Sequence, residues 1–309
     1  MTPLRTLGLD SGLVALRMGW PRGGRIFTHY QPFTTMPNIK FGSEVYTWFM
    51  QESGKAYDNK LDHMIKVAAE SGFTGIEPMH FWMGDLKDSK RLKDSLEKQK
   101  MALAGIALVC GWNEVSETDD EKKQADETIA LLKKFRGAKL CTVPLPTNRK
   151  NLHERRLNLA KCVNAVSRRA VDQGVACSFH PNSPPSSVVR TQEDYDVIIN
   201  SLDPTVTGWT PDVGHIARGG MDVIATLNKW AHLVDHIHFK DFSGNGPEPW
   251  AKMGTGKLDF HKITEWLVMH DFQGWVICED ECHEAIGDPD GVTRQNGEWC
   301  QQNLLPLVA

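Results

Sequence analysis

No stretch of the 309-residue chain approaches the roughly 20 consecutive apolar residues that a membrane-spanning helix needs. A membrane partner is therefore not expected. The chain also lacks a basic block: 35 lysines and arginines face 39 aspartates and glutamates, for a net charge of −4. A protein that tracks a nucleic-acid backbone carries the opposite imbalance, so nucleic acid is not expected as a partner either. The seven cysteines are odd in number, show no metal-knuckle spacing and sit mostly inside apolar runs. That pattern points to reduced thiols and a cytoplasmic protein, with Cys278 and Cys282 as the one pair spaced closely enough to consider for pairing or metal binding. The opening residues, MTPLRTLGLDSGLVALRMGW, lack the continuous apolar core and small-residue cleavage site of a secretory signal.

What is present is a repeat of one theme. Eight β-rich runs occur at residues 40–49 (KFGSEVYTWF), 72–78, 102–111, 138–146, 174–182, 207–215, 233–241 and 274–281 (GWVICEDE). Between them lie amphipathic, charged stretches with helical character, at 59–71, 126–136, 152–173 and 258–271. Asp259 is placed to cap the last of these. Strands alternating with helices predict a parallel sheet, and eight such units predict a closed α/β barrel of the (β/α)8 TIM type over residues 39–309. Residues 1–38 fall outside the repeat. LVALRMGW, PRGG and RIFTHYQPF read as strand, turn and strand, an N-terminal β-hairpin extension that either caps the closed end of the barrel or serves a subunit interface.

The segment DHIHFKDF (235–242) poses the chemical question. Strand alternation puts His236, His238 and Lys240 on one face and Ile237, Phe239 and Asp241 on the other. Buried polar groups of this kind need partners. In a TIM barrel the active site lies at the C-terminal ends of the strands. The polar residues there are Glu77, Asn113, His180, Asn182, Asp212, His215, His236, His238, Lys240, Glu279 and Glu281, with the aromatic Trp112 beside them. Singly, each has an ordinary use: a satisfied core histidine, a helix-capping aspartate, a solvated acidic turn. Together, strands five to eight each offer a metal-binding group, and His180, Asp212, His238 and Glu279 form an imidazole and carboxylate set without sulfur. Such a set suits manganese, cobalt, iron or zinc, with manganese the first expectation. A divalent cation that holds a carbonyl and its neighbouring hydroxyl stabilises the enediolate formed when a proton leaves the carbon between them. A nearby carboxylate or imidazole, Glu279 and His180 among them, can take that proton, and Glu77, His80, Trp112, Asn182, His215, His236 and Lys240 are the expected substrate contacts. Lys240 could bind a substrate oxygen or pair with Asp241. Gly254 and Gly256 could cradle a phosphate or form a tight turn. Trp48, Phe49, Trp82 and Trp112 could stack on a sugar or fill the core.

In order, GFTGIEP, TPDVGH, HIHFKD, GTGKLDF and GWVICEDE resemble the motifs of the sugar isomerase/epimerase superfamily with xylose-isomerase-like barrels. That superfamily includes ketose 3-epimerases, inosose dehydratases and endonuclease IV. The resemblance covers residues 39 to about 285. It implies metal ligands from strands five to eight, and Asp212, His238 and Glu279 match the aspartate, histidine and glutamate of strands six to eight. On strand five, His180 stands where the epimerases place a glutamate. FHPNSPPSSVVRT (179–191) is closer to the corresponding run of inosose dehydratases, which eliminate water next to a ketone. The large subunits of C-glycoside deglycosidases, which act on 3-keto-glycosides with a small second subunit, are further relatives. The expectation is a metal-dependent lyase on a keto-sugar, 3-keto-glycoside or cyclitol, oligomeric and open to a small second subunit. An isomerase or epimerase of the ketose 3-epimerase type is the alternative, and an endonuclease IV-like repair enzyme a remote one.

Overall fold

A computed structural model of the chain describes residues 38–52 and 60–308. The expected N-terminal hairpin lies outside the described residues. The eight apolar runs form eight short strands, β1 Ile39–Glu44, β2 Gly75–Glu77, β3 Gly105–Cys110, β4 Lys139–Pro144, β5 Cys177–Phe179, β6 Thr207–Trp209, β7 Ile237–Phe239 and β8 Gly274–Cys278. All paired neighbours run parallel. One sheet holds β2, β1, β8 and β7, with Ala102–Leu103 at its edge, and the other holds β3 to β6 in order. Parallel bridges join Met79 to Ala107 at one seam, and Trp209 to Val234 and Asp212 to His238 at the other. The result is the closed eight-stranded barrel that the alternation predicts.

A helix follows each strand: α1 Leu61–Glu70, α2 Ser89–Gln99, α3 Asp119–Leu132, α4 Leu152–Val171, α5 Gln192–Ile199, α6 Val223–Lys229, α7 Phe260–Met269 and α8 Pro289–Asn303. Polar side chains fix where most of them begin. The Asp259 side chain accepts from Lys262 N at 3.0 Å, as its position predicts. Thr118 and Glu121 form a reciprocal capping box, so α3 starts at Asp119 rather than near Asp126, where its apolar residues begin. The helices cover apolar residues on the outer strand faces. Phe239 of β7, for instance, packs its ring 5.0 Å from Phe260 of α7, and both are buried. None of the described helices is long and apolar enough to cross a membrane. All seven cysteines are free and buried, so Cys278 and Cys282 are not paired.

Asp241 organises the loop after β7. Its carboxylate accepts from the backbone N–H of Phe242 (2.8 Å), Gly254 (3.0 Å), Gly256 (2.8 Å) and Leu258 (3.3 Å). The two glycine N–H groups that a phosphate would need are thus taken by a side chain of the same loop, and the GTGKL segment is a tight turn. Asp241→Ala strands these donors and is expected to lower unfolding free energy by about 2–4 kcal/mol in urea titration. A loss below about 0.5 kcal/mol would remove the assigned role.

Candidate metal and substrate site

Strand ladders bring the four proposed ligands to one height. His180 directly follows β5, its N–H bonded to Thr142 O at 2.9 Å. Glu279 directly follows β8, its N–H bonded to Phe239 O at 3.0 Å. Asp212 and His238 face each other across the β6/β7 seam. One ligating atom from each of the four lies within 4.8 Å of the others, and all four residues are buried. Asp212 serves two purposes. Oδ1 caps the helix Val213–Arg218 by accepting from His215 N at 2.8 Å, while Oδ2 has no hydrogen-bond partner. The helix approaches β7 closely because residue 214 is glycine: a Cβ there would lie 2.6 Å from Lys240 O.

The donor set fits a divalent cation on two observations. Both ring nitrogens of His180 and Oδ2 of Asp212 are buried without hydrogen-bond partners, 3.7 Å apart at their nearest atoms. His238 turns Nδ1 toward Glu279 Oε2 (3.3 Å) and gives Nε2 to Glu77 Oε1 (3.0 Å). A carboxylate behind a histidine in this way fixes its tautomer and raises its strength as a ligand. Burial alone would depress the His238 pKa, but the charges of Glu77 and Glu279 override it and push it up to about 10, so a proton and a cation compete for Nδ1.

Lys240 occupies the rim of this cluster. Its Nζ lies 2.7 Å from Glu279 Oε1, 2.5 Å from Glu281 Oε1 and 3.4 Å from Asp212 Oδ2. It does not pair with Asp241. Despite the cost of burial, these carboxylates hold Lys240 charged, with a pKa well above its ordinary value. Lys240 also donates to His215 Nε2 at 3.2 Å, which leaves His215 Nδ1 to donate to Ser183 Oγ at 2.8 Å. Burial first, and Lys240 among its neighbours, lowers the His215 pKa to about 3, so this ring is neutral. Burial raises the Glu281 pKa to about 7 against the pull of Lys240.

A cleft of about 260 Å³ opens onto the cluster. Among the described residues, its polar lining includes His180, Asn182, His215, Arg218, His238, Glu279, Glu281 and Glu44. Asn182 is held by its Nδ2 donating to Pro144 O at 2.6 Å, which leaves Oδ1 buried without a partner. Two expected substrate contacts, Glu77 and His236, lie below the cleft, and two more, His80 and Trp112, lie elsewhere. Glu77 is buried beneath the cluster, both oxygens engaged by His236 and His238, so it supports the ligand set instead of touching substrate. His236, fully buried with Nε2 2.8 Å from Glu77 Oε2, sits at that lower level too. His80 turns away, with Nε2 bonded to Gln124 Oε1 at 2.8 Å and Nδ1 accepting from Val109 N at 3.3 Å. Trp112, in the left-handed region at φ 44°, is a core residue, as are Trp48 and Trp82. Asn113 joins Thr147 and Arg155 outside the cleft.

Some cleft residues escape the sequence reading: Glu44, Tyr46, Phe81 and Arg218. Glu44 ends β1 and is buried, and burial pushes its carboxyl well above the usual carboxylate range, with the charge of Glu279 adding to the shift. Its position as the single acidic residue of the first apolar run is the available signal.

A family model described as the xylose isomerase-like TIM barrel matches residues 65–303. The chain belongs to this family. Two curated relatives carry the name inosose dehydratase. The one from Clostridium botulinum is 24% identical over 276 residues, covering 78% of this chain and 88% of the relative. The one from Lactiplantibacillus plantarum is 22% identical over 272 residues, covering 80% and 90%. Among solved structures, the IolI protein with a bound zinc atom is 18% identical at a TM-score of 0.69, covering 87% of this chain and 99% of that one. The 3-keto-D-glucoside 4-epimerase YcjR from E. coli is 18% identical at 0.63, covering 85% and 99%. At these identities the structural likenesses establish the shared barrel.

Glu77→Gln keeps size but removes the charge behind His238, and is expected to weaken binding of manganese or zinc by about 10–100-fold in calorimetric titration of the full chain. Asp212→Asn is expected to weaken it further. Unchanged affinity in both would mean that the cation, if bound, is held elsewhere.

Proposed function

We propose that this chain is a metal-dependent lyase that removes the proton beside the carbonyl of a keto-sugar, 3-keto-glycoside or cyclitol and then eliminates a neighbouring oxygen. The observation that carries the reading is the buried cluster of His180, Asp212, His238 and Glu279 at the floor of an open cleft. The curated relatives named inosose dehydratase support elimination, and the epimerase among the structural neighbours supports the same first step with a different outcome. His180, Asp212, His238 and Glu279 would hold the cation, for which manganese is proposed, with zinc, cobalt and iron suited to the same donors. Bound there, a divalent cation supplies Lewis-acid polarisation of the substrate carbonyl.

The residues divide the remaining work. Glu279 is kept ionised, its pKa lowered to about 2 against the effect of burial by Lys240 and His238. It faces the cleft and is proposed to take the proton from carbon. A strongly stabilised carboxylate is a weak base, so it needs a carbon acid already made acidic by its carbonyl. Burial keeps His180 neutral, and its ring has no hydrogen-bond partner. It can accept the transferred proton and pass it to the departing oxygen, which leaves as water or an alcohol. Asn182 Oδ1 lies where it can receive and orient a substrate hydroxyl, while His215, both of its nitrogens engaged, holds Lys240 and Ser183 in place. Lys240 draws charge away from the carboxylates. One observation favours a second assignment of the base: Glu281 faces the same cleft with a pKa near 7, suited to proton transfer at neutral pH.

The test is incubation of the manganese-loaded chain with keto-sugars, inososes and 3-keto-glycosides in heavy water. Solvent deuterium should enter the carbon beside the carbonyl, and an unsaturated product should follow. Glu279→Gln is expected to slow exchange by about 10²–10⁴-fold. His180→Asn should leave exchange detectable and block product. Wild-type turnover in both variants would overturn these roles, and loss of exchange in Glu281→Gln alone would move the base to Glu281. An exchanged, isomerised product with no elimination would make the chain an isomerase.

A further inference from the structure

Sequence spacing singles out Cys278 and Cys282, yet the fold gives Cys278 a different neighbour. Cys278 ends β8 and Cys300 lies in α8, and their Sγ atoms are 3.4 Å apart. Cys300 Sγ is also 3.3 Å from Sδ of Met253, in the loop that Asp241 organises. All three residues are buried. Three sulfurs from a strand, a helix and a loop thus meet in a row. Met253 is held there: its N–H donates to Asn296 Oδ1 at 3.3 Å, and Asn296 Nδ2 donates to Asp280 Oδ2 at 3.0 Å. Thiols are weak donors and sulfurs weak acceptors, so the contacts within the row are weak hydrogen bonds. Packing alone asks for small or flexible apolar groups here, not for sulfur three times. The row can also be reached. Cys300 lines a cleft of about 250 Å³ together with Phe41, Phe73, Gly297 and Gln301. Among the described residues, this cleft shares none with the one above the ligand cluster.

We infer that Cys278, Cys300 and Met253 form a binding site for a soft monovalent metal ion of the cuprous class, separate from the site proposed for the divalent cation. Thiolate and thioether ligands select cuprous ion over harder cations. Among the described residues no histidine or carboxylate completes the set. The carboxylate of Asp280 is engaged by Cys282 N and Asn296 Nδ2. Three ligands fall short of the four that structural zinc takes. Metal–sulfur bonds of about 2.3 Å in a trigonal plane place the sulfurs about 4.0 Å apart, so neighbours in the row part by about 0.6 Å and bend around the ion. The unbranched Met253 side chain has the freedom to follow. Cys300, which borders the cleft, gives its proton to solvent as the ion enters. Its thiolate cancels the charge of the ion, Cys278 and Met253 bind as neutral sulfurs, and the buried site stays neutral. No electron is transferred.

The test is anaerobic titration of the reduced full chain with the cuprous complex of bicinchoninate, whose colour fades as the protein takes the ion. One equivalent per chain should be withdrawn, and the unfolding midpoint should rise with it. Cys278→Ala and Cys300→Ala should each abolish the withdrawal, while Cys282→Ala should leave it intact. Met253→Leu keeps the volume and removes the thioether, and should weaken binding at least about tenfold. Midpoints of the ion-free variants show whether each has folded, and Met253→Leu decides the matter if an alanine variant has not. No withdrawal by the wild-type chain would overturn the inference. So would withdrawal that is undiminished in Cys278→Ala, Cys300→Ala or Met253→Leu, or that is lost in Cys282→Ala, because the ion would then be held elsewhere.

Discussion

The site rests on one buried carboxylate. Glu77 is closed off from solvent, and its two oxygens receive Nε2 of His236 at 2.8 Å and Nε2 of His238 at 3.0 Å. An ionised carboxylate without partners in such a place would cost several kcal/mol. Burial raises its pKa, but the two histidines more than compensate and hold it well below the usual range. The arrangement dictates the chemistry above it. With Nε2 committed downward, His238 can present only Nδ1 to the ligand cluster. The neighbouring strand makes room for Glu77, since a Cβ on Gly105 would come within 2.7 Å of Glu77 Oε2.

The second constraint is electrostatic. Asp212, Glu279, Glu281 and Glu44 gather near a single ammonium, Lys240, which has hydrogen-bond contact with two of them and lies 3.4 Å from a third. Four ionised carboxylates around this ammonium and the protonated His238 in a buried space would repel strongly. The protein resolves this by keeping two ionised, Asp212 and Glu279, and lifting the other two, Glu281 to about 7 and Glu44 well above the carboxylate range. A divalent cation among the four ligands would add to the positive side of that balance. It would draw Glu279 and Asp212 partly away from Lys240.

Sequence periodicity reveals a face but not a height. His236, His238 and Lys240 do share a strand face, as alternation predicts, yet they sit at three levels of the barrel: His236 below with Glu77, His238 in the ligand cluster, Lys240 at the rim. That is why Glu77 and His236 look like substrate contacts in the sequence and are supports in the structure. The proposed ligand residues are legible because each lies in or just after a recognisable apolar run. His80 and Trp112 were misread because residues beyond a strand end follow no period; the backbone at Trp112 turns left-handed and carries the ring into the core. Phe81 and Arg218 were missed for the same reason. The eight strands were legible throughout, whereas the start of α3 depended on the Thr118 and Glu121 capping box, a signal outside its apolar stripe.

The placement of the ligands relative to the two sheets adds a mechanical role. His180 and Asp212 follow β5 and β6 in one sheet, while His238 and Glu279 belong to β7 and β8 in the other. Between β6 and β7 the ladder is reduced to isolated bridges, one of which is Asp212 with His238 itself. A cation held by all four groups would therefore join the sheets at a seam where the backbone contributes little. Its binding would stabilise the closed barrel in proportion to the logarithm of its concentration over Kd. Residues on both sides of that seam, His180, His215, His238 and Glu279 among them, also line the cleft. Metal occupancy and the shape of the cleft are then linked through one seam, so a change at either ligand pair would alter substrate fit as well as charge.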